Sequence, residues 1–156
     1  MSGLVDAWRM NQDANLFLLA GLQPAWLGDA YGTRTRDVRA QWKHVHDVRL
    51  RWTEHAAPQL VEDVPRLGED AEPTKAQLKQ ALTGSSKVVE RFLHLCLDKG
   101  KVPSWKGPPE SFLGYLIAHE AHHRGLVMVA LRTCGRKVPK ELVYGQWDWG
   151  KRSSRR

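Results

Sequence analysis

Cysteine is scarce in this chain: Cys96 and Cys134 are the only two among 156 residues. Two thiols cannot build the disulfide framework of a small secreted domain, and they suggest a reducing compartment. Long apolar runs are missing as well. The longest, Leu126 to Leu131, falls far short of the roughly 20 residues that cross a bilayer. The first residues carry an acid at Asp6 and no basic-then-apolar leader pattern, so a cytoplasmic protein is expected. Repeats, low-complexity tracts and strand-type alternation are also lacking. What is present is ordinary for a globular chain, with 42% apolar and 26% charged residues, which excludes a disordered, collagenous or fibrous protein. At this length a single core buries roughly 70% of the unfolded surface and needs no staple.

Charge of one sign is in excess, with 24 Lys and Arg against 17 Asp and Glu, a formal balance of +7. A basic balance raises nucleic acid as a partner, and its distribution decides the matter. Residues 151–156 carry +4, the segment 34–51 carries another +4, and the remainder is slightly acidic. The expectation is one domain over 1–150, followed by a basic, solvated tail over 151–156. Nucleic acid is therefore not expected as a partner; the Arg34–Arg51 face is the surface it would use.

Turn residues divide the chain into four long segments. Residues 9–27 read as a first helix with Leu18, Leu19, Leu22 and Trp26 on its buried stripe, kinked or ended by Pro24. After a Gly-rich stretch, Thr33 or Thr35 is the expected cap of a second helix over about 36–55, with Val38, Trp42, Val45 and Trp52 on its apolar face. Thr74 and Gln77 form a capping box that opens a third helix, running to about Asp98. Pro108 and Pro109 start a fourth, and Gly135 ends it. Four such helices predict an all-α four-helix bundle.

The chemistry is concentrated in His119-Glu120-Ala121-His122-His123 on the fourth helix. Side chains four residues apart stack on one helix face, so His119 and His123 can aim two imidazoles at one point. That is what a metal ion needs from a single helix. Leu116 and Leu126 or Val127 continue the same stripe, so the pair should face inward, where unpartnered imidazoles are costly. His122 lies about 60° around the helix and reads as a neighbouring or surface residue. The pentapeptide also fits the His-Glu-x-x-His pattern of zinc metalloproteases. No third histidine follows it, and no strand exists to hold an extended peptide, so the protease reading is set aside.

A third ligand has to come from elsewhere. His55 sits at a frayed helix end and His94 lies on the third helix. His44, with Ala40, Gln41 and Val48 one turn away, can face the bundle interior. His46 shares a turn with Lys43, Arg49 and Leu50, which suggests a more exposed face. Spacing therefore favours His44 over His46. Glu120 is a candidate general base, yet one residue along a helix turns it about 100° from a ligand, which favours an orienting or surface role. Arg124 is a candidate anion contact, or the partner of Glu120 in an ion pair. Cys96 and Cys134 have no motif neighbours and read as non-catalytic. Trp147 and Trp149 are expected to clamp the chain end onto the bundle.

The mid-helix His44-Val45-His46-Asp47, the segment His119 to Gly125 and the aromatic end Tyr144 to Gly150 together resemble the DinB-like (damage-inducible) family of metal-binding four-helix bundles. That family includes thiol-dependent transferases of the bacillithiol and mycothiol systems. The resemblance spans nearly the whole chain. It implies a divalent metal, zinc or nickel, held by His44, His119 and His123. It also implies a long crossover between helices two and three, and a homodimer. The expected function is metal-dependent transfer of a low-molecular-weight thiol, or hydrolysis, on an unknown substrate. The alternatives are a stress-response or binding protein with a structural metal, and a weak nucleic-acid binder.

Overall fold

The computed structural model describes residues 3–153. Four long helices carry the fold: α1 (Gly3–Gly21), α2 (Val38–Ala56), α3 (Lys75–Lys99) and α4 (Pro109–Thr133), followed by short α5 (Lys140–Gly145) and α6 (Trp149–Ser153). No strand occurs among the described residues. Each long helix starts or stops for a local chemical reason. Thr74 and Gln77 make the reciprocal capping box at the start of α3, and Gly100, in the left-handed region at φ 63°, ends it. Gly135 at φ 72° does the same beyond α4.

Two boundaries differ from the sequence expectation. The first helix begins earlier and ends earlier, at Gly21, because Gln23 precedes Pro24 and is held extended; Trp26 lies in a separate short turn. Lys75 closes that helix end by donating to the Ala20 and Leu22 carbonyls at 2.6 and 2.7 Å. The cap of α2 is Asp37, which accepts from the Ala40 amide at 2.7 Å. Thr35 is occupied elsewhere, donating to the Gly32 carbonyl inside the preceding turn.

Helix directions follow from the side-chain pairings. Arg49 reaches Leu82 and Ser85 while His46 reaches Ala81, so α2 and α3 run parallel. Parallel neighbours cannot be joined by a tight turn, and the 57–74 connector is the expected long crossover. Trp8 meets Ser86 and Lys75 meets Ala20, which makes α1 and α3 antiparallel. Helices α1 and α2 each pack against both α3 and α4 and face one another across the diagonal.

Two large apolar clusters and a small one of Leu50, Val61 and Val88 fill the bundle. One gathers Leu18, Leu19, Trp42, Val45, Leu82, Val127 and Leu131; the other gathers Trp8, Phe92, Leu93, Phe112, Leu113 and Leu116. Between them in register lies a buried polar layer containing Asn11, Gln12, Asn15, Arg49, Glu120 and Arg124. The chain end closes only in part as expected: Trp149 is half-buried, but Trp147 is 79% exposed, and this segment is also seated by buried Leu142 and by the Arg152 guanidinium over the Phe17 ring. Lys151 and Arg152, expected in a free tail, belong to α6, while 154–156 lie outside the described residues.

Candidate metal centre

His44 on α2 meets His119 and His123 on α4, where the two helices pack against each other. One ring nitrogen from each imidazole lies within 4.8 Å of the other two, close enough to hold a metal ion. The His123 and His119 Nε2 atoms face each other at 3.1 Å. Ring centroids stand 4.7 Å apart for His44 and His123 and 5.4 Å for His44 and His119. His123 is buried, whereas His44 and His119 are half-buried, so the cluster opens to solvent on one side.

The tautomer of His123 is set by a neighbour that sequence reasoning did not single out. Gln41 donates its amide nitrogen to the Arg36 carbonyl at 3.3 Å, which aims its oxygen at His123 Nδ1, 2.6 Å away. Nδ1 must then carry the proton and Nε2 the lone pair, the orientation metal-binding histidines receive from an outer partner. Gln41 was legible only as a residue three before His44 on the same helix face. The His119 Nδ1 is buried with no partner. On the outer side Tyr115 stacks on His119 at a centroid distance of 6.0 Å and joins Trp52, Trp105 and Phe112 in an aromatic wall.

Electrostatics favour neutral rings here. Burial, then the Arg36 charge, pushes His44 down to about 4. Burial with the neighbouring His119 and His44 pushes His123 down to about 3, and His119 is lowered by burial as well. Neutral imidazoles are the form in which histidine binds a metal.

The structure separates the remaining candidates from this cluster. His46 is fully buried, contrary to the exposed face expected for it, because α3 packs in parallel over that side of α2. Its Nδ1 lies 3.0 Å from the Ala81 carbonyl oxygen, away from the other three histidines. His122 and His94 are exposed, and His55 is exposed with Ser104 as its partner at 2.9 Å. Glu120 is buried and turned inward: Oε1 accepts from Arg49 Nε at 2.6 Å, and Oε2 accepts from Arg49 Nη2, Asn11 and Asn15 at 2.8, 2.6 and 2.6 Å. Arg124 does not pair with Glu120 directly. Its Nη1 donates to the Asn11 and Asn15 oxygens at 2.9 and 2.5 Å, so the two asparagines stand between the charges.

This combination of a four-helix bundle, a long crossover between α2 and α3 and three converging histidines agrees with a comparison against known families, in which residues 1–150 match the DinB family. The chain belongs to the DinB family. No curated protein and no solved structure matches it. Its DinB fold places the histidine cluster at one seam of the bundle and the Arg49–Glu120 network at the centre, on adjacent faces of α4.

Proposed function

We propose that this DinB-family protein binds one divalent metal ion, zinc or nickel, through His44, His119 and His123, and uses it in transfer of a low-molecular-weight thiol or in hydrolysis. The observation that carries the reading is the convergence of three ring nitrogens within 4.8 Å. The facing Nε2 atoms of His119 and His123, 3.1 Å apart, and the proton fixed by Gln41 on His123 Nδ1 fit the same donor set. Three neutral ligands would leave a bound divalent cation its full charge, able to lower the pKa of a coordinated water or thiol. His44 and His119 leave one side open for that water or thiol to approach. Gln41 holds His123 in register, and Tyr115 shields the outer face of His119. Glu120 has both oxygens engaged and serves to lock α4 against α1 and α2, not to take a proton at the histidines.

A catalytic role is favoured over a structural metal because the Arg49–Glu120 pair already fastens the helices that carry the three histidines. Nucleic-acid binding is disfavoured by the same structure. Of the basic residues between 34 and 51, Arg49 is buried in an ion pair, Arg39 pairs with Glu72, and Lys43 donates to the Glu69 carbonyl. No described helix is long and apolar enough to cross a membrane. The homodimer and the cytoplasmic location belong to this proposal as well.

Elemental analysis after zinc or nickel loading and desalting tests the binding step. Wild type is expected to retain roughly one equivalent and His119→Ala almost none; a wild type that retains nothing ends the proposal. Cobalt-loaded protein then separates the chemistries. A thiolate-to-cobalt absorption band on adding a small thiol supports thiol transfer, and its absence supports hydrolysis.

A further inference from the structure

A cavity of about 490 Å³ lies along the side of α4 that carries Ile117, Ala121 and Met128, and none of the three histidines lines it. Its volume falls in the range of small-molecule sites, roughly 300–1,000 Å³. Val143, Trp147 and Trp149 complete an almost wholly apolar wall. The polar exceptions are Gln146, whose amide nitrogen is taken by the Leu142 and Val143 carbonyls, and Arg124, which lines this cavity although it is 7% exposed.

The charge on that guanidinium is not matched. Glu120 is the buried carboxylate nearest to it in the polar layer, and both Glu120 oxygens are taken by Arg49 and the two asparagines. Asp29, another buried acid, pairs with Arg136 at 2.7 Å. Arg124 forms no ion pair among the described residues, and only its Nη1 finds acceptors, both neutral amides. Arg152 adds further positive charge to its surroundings. A buried cation without a carboxylate is costly, and the planar fork of arginine is suited to take a carboxylate in two hydrogen bonds. Trp147, 79% exposed at the cavity, offers a flat apolar face with nothing of the described chain against most of it.

We propose that this cavity binds a small organic carboxylate with a flat apolar body, its charge on Arg124 and its body against Trp147 and Trp149. The site is separate from the histidine cluster and does not depend on a metal. Naphthalene-1-acetate and its uncharged amide, titrated calorimetrically into the full chain, test it. The acid is expected to bind saturably and at least about tenfold more tightly than the amide, the factor a charge-assisted hydrogen bond supplies. Arg124→Gln should erase that preference, and Ala121→Trp, which fills the cavity, should abolish binding of both. Equal affinities, no saturation, or binding that survives Ala121→Trp would overturn the proposal. If Arg124→Gln fails to fold, the acid-to-amide ratio in wild type and the Ala121→Trp result still decide. Sedimentation supplies one more outcome: a dimer that Ala121→Trp dissociates would put a second copy in the cavity and overturn it too.

Discussion

Glu120 shows how much one side chain's direction matters. Adjacent to a metal-ligand candidate in sequence, it points to the bundle centre and holds Arg49 by two hydrogen bonds, with neither residue more than 1% exposed. Removing one partner of such a pair strands a buried charge. Glu120→Ala should therefore lower unfolding stability by about 3–5 kcal/mol in urea titrations, and a loss below about 1 kcal/mol would contradict the buried pairing. The cysteines differ for a related reason. Burial pushes the Cys96 thiol up to about 11 from 9.0, whereas Cys134 is exposed at the end of α4. Folded protein at neutral pH should react with a thiol reagent once, at Cys134, and a second time only on unfolding. Because the Cys96 thiol is harder to ionise when folded, its contribution to stability persists below pH 9 and is lost as pH rises towards 11. The candidate ligands His119 and His123 were legible from their spacing alone. Gln41, Asn11 and Asn15 were not, because single polar residues on a helix carry no pattern until the facing helix is placed.

At the level of elements, punctuation was most readable where a cap uses residues a few positions apart. Thr74 with Gln77 and the Pro109 start of α4 fall where the sequence puts them. Thr74→Ala removes the box and should cost about 1 kcal/mol, read as a shift in the denaturant midpoint at unchanged slope. The Asp37 cap was missed because Thr33, Thr35 and Asp37 compete within five residues, and the turn that engages Thr35 is a tertiary outcome. Short α5 and α6 escaped notice for lack of length: five or six residues cannot display a helical period. Their position comes from Leu142 entering the core and Arg152 covering Phe17.

For the molecule as a whole, the metal and the fold are expected to be nearly independent. The Arg49–Glu120 network and two apolar clusters hold the helices that carry the histidines, so chelation should leave the far-ultraviolet circular dichroism unchanged. Ligand linkage still applies. Zinc supplied at a hundred times its dissociation constant should stabilise the chain by about 2.7 kcal/mol, and His123→Ala should abolish that increment. Collapse of helicity on chelation would instead make the metal structural. The amino-acid pattern by itself determined an all-α bundle, its four long helices and the pairing of His119 with His123, because periodicity and four-residue spacing are local properties of one helix. Only the tertiary structure decided the rest. It brought His44 to that pair, buried His46 under α3, and turned Glu120 and Arg124 away from the cluster, since which face of a helix is covered depends on the neighbour that packs there. The packing of α2 against α4 is what gathers the three histidines at one point.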